Sequence, residues 1–313
     1  MMMVFLVVRK SSALTVSRLK LAISLFTCLT GTLGILYWLL QDGGRISVGT
    51  PLINMYALLM TFAAGQVMFF CIAGGIDDRL RRYYMACFFI GVGGVFASGS
   101  KSAILALICI FLALSIQAIL KNRRRLIQVL ILFSPLILFG MIMNPFSRIE
   151  AMLKNVELFS SGEMEIEARS VTSTGQRIQM YQAAITAIQG DPLLGNGTWR
   201  LGDIFPDQLE SGELSITTER YVHVHNELLQ AWMTRGIPGV LMLMLLFLTP
   251  LWAVRSRDVF RKTSIYITLF VYLVFALFEA PLNPTITYTF FMIIISLLLA
   301  CRTGGQSDKQ IQP

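Results

Sequence analysis

The feature of this sequence that most constrains its fold is a series of long apolar runs. About 20 apolar residues in a helix cross a bilayer core of about 30 Å, and lipid offers exposed backbone groups no hydrogen-bond partner. In the whole chain 55% of the residues are hydrophobic and only 14% are charged. Eight runs approach the required length: 19–40, 51–74, 84–98, 103–120, 126–143, 237–254, 263–280 and 285–301. We therefore predict an all-α integral membrane protein with about eight transmembrane helices.

The basic residues between the runs predict the orientation, because lysine and arginine are enriched in cytoplasmic connections. If the N-terminus is cytoplasmic, every basic cluster falls on the inner side, and the short outer connections keep only Arg45 and Lys101. The net charge of +8 comes from these clusters, so we predict no nucleic-acid partner. The resulting division is membrane helices in 1–143, a large outer loop in 144–236, membrane helices in 237–301 and a cytoplasmic tail in 302–313.

The large outer loop is predicted to contain short helices. Ser173 followed by Gln176 forms a capping box, which is typical of a helix start. Gly190 and Pro192 predict the end of that helix. A second short helix is predicted to begin near His225 and to end at Gly236. The first helix is supported by apolar residues at helical spacing: Ile178, Tyr181, Ile185 and Ile188.

Both histidines of the chain lie in the outer loop, in the segment Tyr221–Leu229. A helix that begins near His225 would place Leu228, Leu229 and Trp232 on a face against the membrane and hold His225 at its boundary. A helix N-terminus favours the neutral imidazole, whereas Glu227 favours the charged one, and the sequence does not rank them. His225 is thus a candidate general base, with a purely structural histidine as the alternative.

Two cations of the outer side are candidates for binding an anion. Arg177 lies near the start of the first loop helix, where the helix N-terminus and the guanidinium fork both suit phosphate oxygens. Lys101 lies in the tight turn Ser98–Ser102, where a cation at membrane depth costs on the order of 3 kcal/mol. The alternatives are a solvated arginine and a lysine that reaches the surface. Arg45 is a weaker candidate, and no spacing typical of a metal site is found, so we predict neither metal nor cofactor.

Several segments together resemble the O-antigen ligase family, which shares its C-terminal module with O-antigen polymerases. The segments are Ser170–Tyr181 (SVTSTGQRIQMY), Pro192–Gly197 (PLLGNG), Val222–Leu229 (VHVHNELL) and Gly236–Gly239 (GIPG). Upstream, Arg45–Gly49 and Ser98–Ala103 are similar to further landmarks, so the resemblance runs from about residue 25 to 300. Family members usually carry several more helices ahead of this region, so the chain is expected to be an N-terminally short member.

The resemblance implies an activity and a place in the cell. The family transfers O-antigen glycan from undecaprenyl pyrophosphate to the lipid A core on the periplasmic side. For this chain we predict a metal-independent, inverting glycosyltransferase reaction. The expected location is the bacterial inner membrane, with the outer loop periplasmic. The expected partners are the lipid-linked glycan donor, the lipid A core acceptor and membrane lipids.

The resemblance also assigns the candidate residues. The functional histidine of the family corresponds to His225, and the arginine of its loop helix to Arg177. Lys101 stands where the family has an arginine at the membrane boundary; lysine keeps the charge and lacks the bidentate fork. The residues expected to bind substrate are Arg177, Lys101, Arg45, His223, Asn226 and Glu227.

Two other functions remain open from the sequence. An O-antigen or exopolysaccharide polymerase would use the same donor with another glycan chain as the acceptor. A non-enzymatic transporter of lipid-linked glycan is the alternative from another class of protein. Transporters typically show paired inverted repeats and broken helices near the midplane, and no such pairing is found in this sequence.

Overall fold

The computed structural model describes residues 15–41, 44–50, 52–73, 77–122, 125–143, 146–161, 173–197, 223–254, 258–283 and 285–301. Within these residues the chain forms ten α-helices. They are α1 (Val16–Leu40), α2 (Ile53–Ile72), α3 (Asp78–Ser98), α4 (Lys101–Lys121), α5 (Leu126–Met143), α6 (Phe146–Ser160), α7 (Ser173–Gly190), α8 (Glu227–Ala253), α9 (Val259–Phe278) and α10 (Thr285–Ala300). Each predicted apolar run coincides with a helix, so the helical fold class is confirmed.

The helices have the lengths and surfaces of a multi-pass membrane protein. Five of those described, α1, α2, α4, α8 and α9, are long and apolar enough to cross a bilayer, and α5 and α10 are apolar but shorter. Water-soluble proteins rarely expose contiguous apolar patches of this kind. That eight helices cross the membrane, and that the loop faces the periplasm, stay predictions. The exposed rows include Leu21, Leu25, Leu29 and Leu36 on α1, Leu112 and Ile116 on α4, and Leu241, Met242, Leu245 and Leu248 on α8.

By its internal packing the chain divides into two units. The first comprises 1–144, 250–272 and 286–313, and the second comprises 145–249 and 273–285. In the first unit α2 contacts α1, α3 and α4 and is buried along almost its whole length. Its buried Gln66 donates from Nε2 to the carbonyl of Ser264 at 2.8 Å. A buried amide needs such a partner, so this bond fixes α2 against the first half of α9.

A tight turn joins α3 to α4 in the first unit, as the sequence predicts. Gly99 follows the last residue of α3 with φ 60° and ψ 19°, the left-handed conformation in which glycine commonly ends a helix. The N–H of Ser100 donates to Oγ of Ser98 at 3.2 Å. The turn therefore places Lys101 at the first residue of α4.

The second unit contains the helices of the predicted outer loop. The predicted first loop helix is confirmed as α7, which contacts α6. The buried side of α7 is not formed by all the apolar residues predicted for it, because Ile185 is exposed. Small alanines on the buried side allow close packing. The side chain of Ser173, which is predicted to cap this helix, lies outside the described part of the structure. Residues 162–172, 198–222 and the tail 302–313 also lie outside it. The buried cluster consists of Met180, Ala183, Ala184, Ala187, Ile188, Val224 and Met233.

The predicted sidedness can be tested by labelling introduced cysteines in intact cells. A membrane-impermeant maleimide should label Gln189→Cys, at an exposed position of α7 in the predicted outer loop, and should not label Asp78→Cys, at an exposed position near the predicted inner surface. The unaltered chain gives the background, because its five cysteines are buried or partly buried. The reverse labelling would place the loop in the cytoplasm.

Candidate functional site

The carboxylate of Glu279 joins Arg177 to His225 in the second unit. Nη2 of Arg177 donates to Oε1 of Glu279 at 2.5 Å, and Nδ1 of His225 lies 2.7 Å from Oε2. The side chain of Glu279 is 9% exposed, that of His225 16% and that of Arg177 33%. Arg177 comes from near the start of α7, His225 lies two residues ahead of the start of α8, and Glu279 directly follows α9. Three segments far apart in the sequence therefore build one charged group, which we call the Glu279 cluster.

His225 is held by its backbone as well as by its ring. Its φ is 55°, a left-handed conformation that costs about 1 kcal/mol or more in a residue other than glycine. The hydroxyl of Tyr181, one turn along α7 from Arg177, donates to the carbonyl of His225 at 3.0 Å. A strained conformation kept in place by a neighbouring side chain is a frequent property of functional residues. The backbone of His225 is thus held by Tyr181, and its ring by Glu279.

The helix predicted to begin near His225 begins instead at Glu227. Asn226 caps it, since its Oδ1 accepts the N–H of Leu229 at 3.0 Å, and asparagine is among the best residues for this position. His225 therefore lies ahead of the helix. The predicted membrane-facing row is divided: Leu229 and Trp232 pack against the apolar cluster of α7, and Leu228 is exposed.

His223 lies beside His225 because the side chain of the residue between them points to the other side of the backbone. The intervening Val224 is buried in the apolar cluster, and its N–H donates to Oε1 of Gln230 at 2.8 Å. The centroids of the two imidazole rings lie 4.4 Å apart. Burial, and then the electrostatic interaction with His225, lowers the pKa of His223 to about 4, although Glu279 opposes the shift. His223 is consequently an uncharged neighbour of His225 near neutral pH.

Glu279 is the member of this candidate site that the sequence motifs do not indicate. Burial by itself would raise the pKa of this carboxyl, but the hydrogen bond with His225 and the charge of Arg177 outweigh burial and hold the pKa below its usual value. Glu279 is therefore ionised near neutral pH. One signal was present in the sequence, since Glu279 is the only charged residue in the apolar run 263–280. An ionisable residue in such a run is a candidate functional site by default.

Asn226 and Glu227 contact the segment that carries Glu279. Nδ2 of Asn226 donates to the carbonyl of Leu277 at 3.2 Å. Oε2 of the buried Glu227 accepts the N–H of Leu282 at 2.9 Å. That these two residues bind substrate stays a prediction, and their side chains are engaged within the protein.

The Pro192–Gly197 segment, one of the motifs found in the sequence, packs on a break in α8. Gly236 has φ 61° and ψ −155°, which divides α8 into two helical parts, so the predicted end of the short helix at Gly236 is confirmed. The N–H groups of Asn196 and Gly197 donate to the carbonyls of Met233 and Thr234 at 2.8 and 3.0 Å. The motif thus binds carbonyls that the helix break leaves without intrahelical partners.

In the first unit the structure brings the other two predicted cations to one turn. Nε of Arg45 donates to the carbonyl of Ser98 at 3.3 Å, and Lys101 lies three residues further along, where α4 begins. Arg45 is exposed and Lys101 is half-buried. The predicted contact of these residues with substrate stays a prediction.

Gly236→Ala should destabilise the protein strongly. A Cβ at Gly236 would overlap the carbonyl oxygen of Leu193, and the backbone conformation is one that only glycine adopts readily. The expected loss is about 1–3 kcal/mol or more, measured as a lower thermal unfolding midpoint in detergent. Gly190→Ala is the matched control, because a Cβ there meets nothing within 4 Å. Equal midpoints for the two variants would contradict this packing.

Comparison with known proteins gives two findings. A family model described as O-antigen ligase matches residues 86–244, which are 159 of the 313 residues. This range includes Lys101, Arg177 and His223–Glu227, and it excludes Arg45 and Glu279. An uncharacterized protein of Haemophilus influenzae is 34% identical over 80 residues, which are 26% of this chain and 20% of that protein. The matched stretch therefore spans only a fifth of that relative.

Proposed function

Because the chain belongs to the O-antigen ligase family, we propose that it transfers O-antigen glycan from undecaprenyl pyrophosphate to the lipid A core oligosaccharide. The observation that carries the proposal is the Glu279 cluster. It combines an oriented imidazole, an ionised carboxylate and a partly exposed guanidinium. These are the groups that a glycosyl transfer from a pyrophosphate donor requires: a proton acceptor and a cation for the leaving group.

His225 serves as the general base in this proposal. When the Nδ1–H group donates a hydrogen bond to Glu279, the lone pair of the neutral ring lies on Nε2. Nε2 then accepts the proton of the acceptor hydroxyl. The hydroxyl oxygen then forms a bond with the anomeric carbon of the glycan. The bond from that carbon to the pyrophosphate oxygen breaks, and undecaprenyl pyrophosphate leaves with the electron pair. Attack opposite the leaving group inverts the anomeric carbon.

Glu279 stabilises the imidazolium that this proton transfer creates. The ionised carboxylate lies 2.7 Å from Nδ1, close enough for a charge-assisted hydrogen bond. The same bond keeps the ring in the tautomer that exposes a lone pair at Nε2. The arrangement follows the logic of a histidine oriented by a carboxylate, which recurs in unrelated enzymes.

Arg177 contributes charge to the leaving pyrophosphate. Only Nη2 is bonded to Glu279, and a guanidinium has five N–H donors, so the exposed part of the side chain can donate to phosphate oxygens. An unpaired unit charge about 4 Å from a phosphate charge is worth about 4 kcal/mol at an effective dielectric constant of 20, and the ion pair with Glu279 makes the contribution of Arg177 smaller than this. Lys101 and Arg45, in the first unit, are further candidates for binding substrate. The cations take the role that a divalent metal has in other transferases, and the reaction should survive excess chelator.

A polymerase is the second candidate, because the family comprises ligases and polymerases and both use a lipid-linked glycan donor. The chemistry assigned to the Glu279 cluster is the same in both reactions. Only the acceptor differs: the lipid A core in a ligase and another lipid-linked glycan in a polymerase. A non-enzymatic carrier would not need an imidazole oriented by a carboxylate.

Substitutions in the Glu279 cluster should remove transfer without removing the protein from the membrane. His225→Ala should lower the transfer rate by about 10²–10⁴-fold, the range for loss of a general base. Glu279→Gln should lower it by a smaller factor, because the amide oxygen still accepts from Nδ1 but carries no charge. The measurement is glycan transfer by purified protein supplied with donor and acceptor. Asp78→Asn is the matched control, since it also removes one acid, from an exposed position. Full activity of His225→Ala would exclude this base.

Lipopolysaccharide gels from a deletion strain should separate the two activities. Loss of a ligase should remove the whole O-antigen ladder and leave polymer on the lipid carrier. Loss of a polymerase should leave a single repeat attached to the core. We expect the first pattern, with the ladder restored by the wild-type gene and not by the gene carrying His225→Ala. An unchanged ladder would overturn the proposed function.

A further inference from the structure

Three consecutive side chains bind one short segment of the chain. His225 contacts the carboxylate of Glu279, Asn226 donates to the carbonyl of Leu277 at 3.2 Å, and Glu227 accepts the N–H of Leu282 at 2.9 Å. Two of these contacts are to backbone groups on either side of Glu279. The 277–282 segment is therefore fixed before and after the residue that orients the proposed base.

The segment needs such fixing because α9 ends at Phe278, directly ahead of Glu279. The N–H of Glu279 still bonds to the carbonyl of Phe275, and beyond it the chain turns, with the N–H of Asn283 donating to the carbonyl of Ala280 at 3.1 Å. The backbone on the C-terminal side of Glu279 is thus outside any helix. The bond to Glu227 is a side-chain contact that holds this turn to the start of α8.

Asn226 and Glu227 already have hydrogen-bond partners within the protein. Oδ1 of Asn226 caps α8 at Leu229 while its Nδ2 binds Leu277, so both atoms of the amide have protein partners. Glu227 is buried as a residue, 8% exposed, and a carboxylate there is oriented toward the backbone of Leu282. Such a placement suits a structural bond more than a contact with a sugar.

We propose that Asn226 and Glu227 are positioning residues that hold Glu279 against His225, an inference that rests on the proposed function. They act through the backbone on either side of Glu279 and touch neither donor nor acceptor. The three consecutive residues of the His-Asn-Glu sequence then serve one function. The histidine reacts, and the next two residues fix the segment that carries Glu279, its carboxylate partner. This replaces the substrate-binding role expected from the sequence.

Pairs of variants separate a lost bond from a lost charge. Glu227→Gln keeps an oxygen that accepts the N–H of Leu282, whereas Glu227→Leu removes the acceptor from the same buried position. Asn226→Asp keeps the helix cap, because aspartate caps as well as asparagine, and removes the donor to Leu277. We expect Glu227→Leu and Asn226→Asp to lower kcat by about 10- to 100-fold, the effect of misplacing a reacting group by about 1 Å.

The Michaelis constants provide the decisive contrast for activity. KM for donor and acceptor should stay within about twofold of wild type in all these variants, because a positioning residue acts on the transition state rather than on substrate binding. Glu227→Gln should rescue most of the kcat that Glu227→Leu loses. A raised KM with unchanged kcat would show that these residues bind substrate. Equal losses for Glu227→Gln and Glu227→Leu would show that the charge matters and not the bond, and would overturn the proposal.

A second readout does not depend on activity, and so separates failure of this inference from failure of the proposed function. The chain has two histidines, so in His223→Gln the ring of His225 is the only imidazole, provided that purification avoids a histidine tag. Nitrogen-15 NMR of histidine-labelled protein in nanodiscs then reports which ring nitrogen carries the proton. We expect the Nδ1–H tautomer in His223→Gln and with Glu227→Gln added. Adding Glu227→Leu should produce a mixture of tautomers; an unchanged spectrum would overturn the proposal even if the chain transfers glycan.

Discussion

The second unit depends on one shared carboxylate. Glu279 is almost fully buried, and a buried carboxylate is costly unless it is paired and hydrogen-bonded. Its two oxygens bond to Arg177 and to His225, so the burial that destabilises the charge is offset by two charge-assisted contacts. Removal of either partner would take away one of these two contacts from a buried charge. The position of α7, the strained residue ahead of α8 and the end of α9 are therefore linked by one charge.

This pairing also determines when positive charge arises in the proposed reaction. With His225 neutral, Arg177 and Glu279 sum to zero, so the cluster presents little net charge to the bound donor. When His225 takes the acceptor proton, the cluster gains one positive charge, at the step in which negative charge develops on the departing pyrophosphate. A contribution that is stronger in the transition state than in the ground state is the kind that accelerates a reaction. Arg177 is then both a support for Glu279 and a donor to phosphate.

The helices were predictable because each apolar run carries its own signal, whereas the cluster was not. Local patterns indicate Arg177 and His225, and the placement of glycines predicts the turn at Gly99 and the helix end at Gly236. Glu279 lies 102 residues from Arg177 and 54 from His225, and no local spacing encodes such a contact. The sequence predicts a start of α8 near His225, and the structure has it at Glu227, directly after the cap Asn226, because asparagine is the better capping residue. Long-range packing of the chain brings Glu279 to Arg177 and His225, and hydrophobic periodicity carries no information on such contacts.

The same long-range packing explains why a glycine-rich turn and a histidine motif belong to one structure. The first part of α8 begins at a side-chain cap, Asn226, and ends at a backbone cap, where Asn196 and Gly197 donate to the carbonyls of Met233 and Thr234. Both ends of this short helix are thus satisfied by groups from outside its own turns. An isolated helix of this length would be marginal in water. Its rigidity therefore comes from its caps and from the apolar cluster on α7, and that rigidity is what lets the residue ahead of it keep a strained conformation against Glu279.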